Sequence, residues 1–364
     1  MTAPSDSLPI PLDEVFAVAR GIATAVAPET GLTDVQVSVL RAITKALTDV
    51  DVDYRNLEPL DPGALARALA DRDVGYRQRI VHHMVLGELV LRPIPEAVAH
   101  AVETYADALG IRDDFVGVAR KYAQGAFGLA WMDLRRSGFA DRWDESSLDG
   151  LHTTAELDDP FDNPAADPAL EARWAAFADL PPGTLGRGVW EMYDGRGFAL
   201  PGNPHGASAF IAQHDFVHVL ADFGTNLPGE LETFALVGRA DPDPKGFAWL
   251  ATMVGLFETG YVNQSGFFQI DVRERNLESP GMGTRLADAL RRGKAVAENF
   301  GTDLFVVDFH ALADHSLDDV RSRLCLPPKS PEALAAGSAG CFDLEGMSER
   351  QRETVAERSQ QSRG

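Results

Sequence analysis

The sequence predicts an all-α fold of two helical domains joined by an acidic, proline-containing linker. Three observations carry that reading. Nearly every apolar stretch repeats at helical spacing, alternating strand-like runs are absent, and capping residues stand where the helical pattern begins and ends. At 364 residues and 45% hydrophobic composition, the chain is long enough for two cores.

Taken in order, Leu32, Val35, Val39, Leu40, Ile43 and Leu47 fall on one helical face. Thr33 and Gln36 have the spacing of a capping box. Asp61-Pro62 reads as an N-cap followed by the first helical residue. An apolar helix is expected over residues 75–91. Another, over 95–109, carries Val98, Ala101, Val102, Tyr105 and Leu109 on one stripe and stops at Gly110. A further helix is expected over 114–136. Residues 1–138 therefore read as an N-terminal bundle. His82 and His83 are adjacent, so they point to different faces and suit core and boundary positions better than ligation.

The acidic junction is placed at residues 139–170. Between 141 and 173 stand ten acidic and two basic residues, a net charge of -8, with Pro160, Pro164 and Pro168 breaking the run. Such a segment reads as a solvated linker. The second domain is expected over 171–328. Its helices should cover 184–193, 208–223, a stretch from near Glu230, 247–257, 282–300 and 317–324. Residues 329–364 read as a polar tail, frayed from Ser348 onward.

The formal charge of -22, from 33 basic and 55 acidic residues, argues against nucleic acid and anionic membrane surfaces as partners. The longest notable apolar stretch, 246–257, is too short to span a bilayer, so no integral membrane segment is expected. Cys325 and Cys341 have no metal-like spacing and read as reduced thiols of a cytoplasmic protein.

One constellation carries chemistry. His214 and His218 are four residues apart within the expected 208–223 helix, so both imidazoles project from one side. Asp215 flanks the pair. The turn over 224–229 then returns the chain, and Glu230 opens the next helix, bringing its carboxylate back toward the histidines. Two imidazoles with carboxylates suit a divalent Zn, Fe, Co or Mn ion. The plainer alternative is a pair of hydrogen-bonded core histidines. Asp222 is placed to accept from an imidazole, and Asn226 to brace the turn.

The His-Asp-x-x-His pattern of residues 214–218, followed by eleven residues and Glu230, resembles the metal-site signature of the Coq-four family of ubiquinone biosynthesis proteins. Flanking segments at 180–187, 225–230, 291–294 and 317–326 resemble the family too, so the likeness spans about residues 170–328. The resemblance implies an all-helical fold, a divalent metal on His214, Asp215, His218 and Glu230, and a prenylated or lipophilic aromatic acid as substrate. The activity it implies is oxidative removal of the ring carboxylate, a lyase-type reaction in quinone biosynthesis. On that reading Phe247, Leu250 and Val254 would line a tunnel for an isoprenoid tail, and Arg291 and Arg292 would hold the substrate's anion; the plainer alternatives are a helix buried in the domain centre and a solvated basic face. The first 138 residues loosely resemble a TerB-type (tellurite-resistance) helical domain. Their turn at Leu91-Arg92-Pro93 lacks that domain's acidic site. Two other functions fit the same residues. One is a non-catalytic lipid-binding scaffold, as a homo-oligomer or with biosynthetic partner proteins. The other is a metallohydrolase, with His310 and His315 as further ligands.

Overall fold

The computed structural model describes residues 10–112, 117, 120–121, 149–153, 166–247, 250–251, 253–254 and 275–361. Among them the chain is all-α. The only extended pairing in this set is an isolated antiparallel bridge between Thr184 and Ser316. Most of the expected 114–136 helix and of the acidic junction lies outside the described residues.

Five helices form the N-terminal part: α1 (Leu12–Val26), α2 (Asp34–Thr48), α3 (Pro62–Ala68), α4 (Val74–Leu89) and α5 (Glu96–Ala108). The caps sit where the sequence puts them. The Thr33 hydroxyl accepts from Gln36 N at 3.3 Å, and Gln36 Oε1 accepts from Thr33 N at 3.0 Å. Asp61 caps α3 with Pro62 as its first residue. Helix α4 is buried continuously from Ile80 to Leu89, which makes it the axis of this bundle. Gln36 also ties three helices together. It is fully buried, and its Nε2 donates to Val26 O at 2.7 Å and to Gly87 O at 2.9 Å. Those carbonyls would otherwise lack a donor in an apolar interior.

The remaining helices are α6 (Pro168–Ala175), α7 (Leu185–Arg196), α8 (Gln213–Ala221), α9 (Leu227–Ala240), α10 (Met282–Asn299), α11 (Leu317–Arg323), α12 (Pro331–Ala335) and α13 (Glu349–Gln361). Helix α10 is the shared wall of the molecule. Gly293 lets it lie directly on α9, since an added Cβ would stand 2.4 Å from Leu236 O. On its other side Gly283 meets Ser38, and Lys294 Nζ donates to Leu47 O at 2.9 Å, both on α2. Arg79 Nη2 donates to Pro242 O at 2.9 Å, and the His83 and Phe247 rings meet edge-on at 4.8 Å. Buried apolar residues from both parts form one contiguous cluster. His82 and His83 are both buried within it.

The end of the chain departs from the expected frayed tail. Residues 349–361 form α13, and Gln351 is 2% exposed. Its Oε1 accepts from the Thr225 hydroxyl at 2.8 Å. Thr225 N and Asn226 N both donate to Gly346 O, at 2.7 and 3.0 Å. Gly224 makes that approach possible, because a Cβ there would meet Gly346 Cα at 2.5 Å. Polar composition misleads here because these polar groups bond to the turn between α8 and α9 instead of to water.

Candidate metal centre

Helix α8 is shorter than the sequence suggests. Residues 209–212 make turns, and the helix ends at Asp222, which takes a left-handed conformation with φ 57°. Asn226 caps α9, its Oδ1 accepting from Gly229 N at 3.0 Å while its Nδ2 donates to Glu345 O at 2.7 Å. The turn therefore brings the start of α9 back alongside α8. Ligand atoms of His214, His218 and Glu230 consequently lie within 4.8 Å of one another, all three residues buried. Glu230 Oε2 is 3.3 Å from His218 Nε2 and 3.6 Å from His214 Nε2.

Hydrogen bonding fixes which nitrogen of each ring faces that point. Thr233 Oγ1 donates to Gly229 O at 2.9 Å, so toward His218 Nδ1, 3.2 Å away, it acts as acceptor. The second neighbour of that nitrogen is Phe223 O, at 3.4 Å. Both are acceptors, so Nδ1 of His218 carries the hydrogen. His214 Nδ1 donates to Ile211 O in the same way. Each neutral imidazole is thereby left with its Nε2 lone pair aimed at the Glu230 carboxylate. Lone pairs facing a carboxylate repel unless a cation stands between them. That cation is a proton on Nε2 or a metal ion bound in its place.

Electrostatics agree with that account for the proton-loaded state. Burial alone would lower the His214 pKa, but the Asp215 and Glu230 carboxylates outweigh it and raise it to about 9. Burial likewise opposes ionisation of Glu230, yet the two imidazoles pull its pKa down to about 2. The chemistry of the donor set, two imidazole nitrogens and a carboxylate oxygen converging in a buried pocket, fits a divalent ion of borderline softness.

Asp215 stands at the edge of this group. Its Oδ1 is 3.6 Å from His214 Nε2, and its Oδ2 accepts from Tyr193 Oη at 2.5 Å. Tyr193 belongs to α7 and is fully enclosed; burial, and then the Asp215 charge, hold its phenol protonated well above the usual value. The His214 ring is stacked at 5.3 Å on Phe234 of α9. Arg196 closes the far side, its Nε donating to Thr225 Oγ1 at 2.7 Å and its Nη2 to Cys341 O.

The other expected residues make contacts of their own. Asp222 turns away from the imidazoles; its Oδ1 accepts from Cys341 N at 3.0 Å and its Oδ2 is 3.8 Å from Lys329 Nζ. The acceptor role expected of Asp222 falls to Thr233. Its left-handed backbone, which ends α8, is what redirects the carboxylate. Arg291 pairs with Asp288 at 2.7 Å. Arg292 is buried against the Phe223 ring, 4.8 Å from its centroid, and its Nε donates to Pro327 O at 2.9 Å. Phe247, Leu250 and Val254 are all buried, with Phe247 against His83. His310 belongs to an aromatic group with Trp174, Phe177 and Phe216. His205 is exposed. Of the residues that surround the trio, Thr233 was findable, because it sits three positions after Glu230 on the same helix face. Tyr193 left no signal, since its contact with Asp215 spans separate helices.

No family model matches the chain, and no curated protein matches it. Among solved structures it is similar to the crystal structure of a protein from Nostoc punctiforme named for ubiquinone biosynthesis. The two are 18% identical with a TM-score of 0.28, over 69% of this chain and 97% of that one. A likeness of that size assigns neither site nor chemistry.

Proposed function

We propose that this protein is a metal-dependent enzyme of quinone-type biosynthesis that oxidatively decarboxylates a lipophilic aromatic acid. The observation that carries the metal assignment is the convergence of His214, His218 and Glu230, with both Nδ1 atoms already committed to acceptors. His214 and His218 would hold the ion through Nε2 and Glu230 through a carboxylate oxygen, while Asp215, beside His214 but outside that trio, would join only by shifting toward the ion. Bound there, a Zn, Fe, Co or Mn ion supplies a Lewis acid for a ring carboxylate or phenolic oxygen, and a redox-active member supplies electron transfer. Three or four protein donors leave room for substrate on an octahedral ion, which a closed structural site lacks. Thr233 and the Phe223 carbonyl would keep the His218 ring in register. Tyr193 would keep one Asp215 oxygen occupied and the other turned toward His214. Phe234 would brace the His214 ring against rotation. The aromatic acid and the quinone pathway come from the motif's resemblance, and the metal from the geometry.

The experiment is metal analysis of the purified protein, followed by incubation with a prenylated 4-hydroxybenzoate under air while CO₂ release is followed. Substoichiometric metal, or equal CO₂ release from His218→Ala, contradicts the proposal. Stoichiometric metal without turnover on any aromatic acid favours a scaffold in which the ion only ties α8 to α9.

A further inference from the structure

A groove of about 590 Å³, lined by none of the three metal-centre residues, opens between the end of α8, α10 and the segment around α11. Its lining is unlike the rest of this acidic chain, because Arg292, Arg321 and Lys329 all border it. Arg321 and Lys329 have structural work there. Arg321 Nε donates to Leu220 O at 2.8 Å, and Lys329 Nζ donates to Ala339 O at 2.9 Å and Ser338 O at 3.2 Å. Arg292 is different. It is 2% exposed and lies on the Phe223 ring, and its Nε donates to Pro327 O at 2.9 Å, yet its buried Nη1 has no hydrogen-bond partner among the described residues. Leaving a buried charged donor unmet is costly, and a ligand oxygen would recover that cost.

Two acids share the groove. Asp318 is 3.3 Å from Arg321, and Asp222 is 3.8 Å from Lys329. Three lining cations against two lining carboxylates leave one positive charge, because the buried Asp288 and Glu232 that also act on Arg292 are paired with Arg291 and Arg285; that suits a monoanion better than a dianion. The remaining wall includes Leu326, Pro327 and Leu334, and gives an apolar surface beside the charge. A volume of this size falls in the range of small-molecule sites.

We propose that this groove binds a small monocarboxylate with an apolar body, anchored by the Arg292 guanidinium, at a site separate from the metal centre. Planar guanidinium matches a carboxylate in a way that a point charge does not. The assignment uses none of the metal ligands and stands or falls apart from the proposed chemistry.

Cys325 supplies the reporter. It is exposed and borders the groove, whereas Cys341 is fully buried, and burial pushes its thiol up to about 12. N-ethylmaleimide, an uncharged reagent, should label Cys325 alone in the full chain. Benzoate should slow that labelling saturably, by about tenfold at ten times the half-protecting concentration. Its neutral isostere benzamide, and sodium chloride at equal ionic strength, should not. Arg292→Met should abolish the protection. If that variant misfolds, seen as labelling of Cys341, Ser322→Asp decides the matter. Ser322 is an exposed residue of the groove lining, and an added negative charge there should weaken benzoate protection severalfold. Protection by benzamide or salt equal to that by benzoate overturns the proposal. So does protection by benzoate that survives Arg292→Met, or in its place Ser322→Asp. Stronger protection by phenyl phosphate than by benzoate overturns the choice of a monoanion.

Discussion

Replacing Thr233 by valine isolates the step that prepares His218 for a metal ion. The side chains have nearly the same shape, so the packing of α9 against α8 stays. The hydroxyl that accepts from Nδ1 at 3.2 Å goes, and only Phe223 O at 3.4 Å remains to hold the ring. One neutral hydrogen bond contributes about 1 kcal/mol, and loss of an outer partner of a ligating histidine typically weakens metal binding about 10–100-fold. Because a second, longer acceptor survives, the expected loss is near the lower end, about tenfold. Competition for Zn²⁺ or Co²⁺ against a chromophoric chelator measures it, with a denaturant melt of the metal-free variant as control. A variant that binds the ion as tightly as the unaltered protein would refute the claim that Thr233 sets the His218 tautomer.

Three further outcomes follow from packing and charge. Gly293→Ala puts a methyl 2.4 Å from Leu236 O and 3.1 Å from Ala240 N, so α10 must move off α9. A stability loss of about 3 kcal/mol and weaker metal binding are expected from overpacking backbone that cannot yield, and an unchanged melting temperature would contradict this. Gln36→Leu strips the donor from Val26 O and Gly87 O and the acceptor from Thr33 N, for an expected loss of about 3 kcal/mol by denaturant titration. A loss under about 1 kcal/mol would mean that water replaces the amide. His83, 5% exposed, has its pKa lowered to about 3 by burial first, then by His82 and by the Arg239 and Arg79 charges. Its folded value lies below the roughly 6.5 of an unfolded histidine, so the unfolded chain takes the proton first. Stability is complete above about pH 6.5 and falls by up to about 1.4 kcal/mol per unit toward pH 3. His83→Phe should flatten that acid limb in melts at pH 7.5, 5.5 and 4.5, and an unaltered slope would assign the loss to other groups.

Local signals in the sequence were reliable where one residue's chemistry decides the backbone. The Thr33–Gln36 box, the Asp61-Pro62 start and the Gly110 stop all stand in the structure, because each satisfies helix-end groups within a few residues. Periodicity located α2, α4, α5 and α10 to within one or two residues for the same reason. The 214–230 motif likewise has His214, His218 and Glu230 together, although α9 begins at Leu227, earlier than expected, so that the five residues 222–226 make the turn. What the sequence hid was anything set by distant chain. Asp222 was expected beside an imidazole from its i+4 spacing, but the left-handed end of α8 and Cys341 N, 119 residues later, decide where it points. The residues around α13 read as solvent-facing because their polar partners, such as Thr225 for Gln351, lie 126 residues away. Arg292 read as a substrate clamp or a solvated helix face, and only the packing reveals that it is buried on Phe223 and bonded to Pro327 O.

The central claim is that His214, His218 and Glu230 form one divalent-metal site. Isothermal titration of the metal-free full chain with Zn²⁺ and Co²⁺, repeated on His214→Ala, His218→Ala and Glu230→Gln, tests it most directly. The account predicts one tight site per chain, proton release on binding, and a loss of at least about 100-fold in affinity for each variant. Binding that persists at full affinity in any two of the three variants, or no tight binding to the unaltered chain, would contradict it.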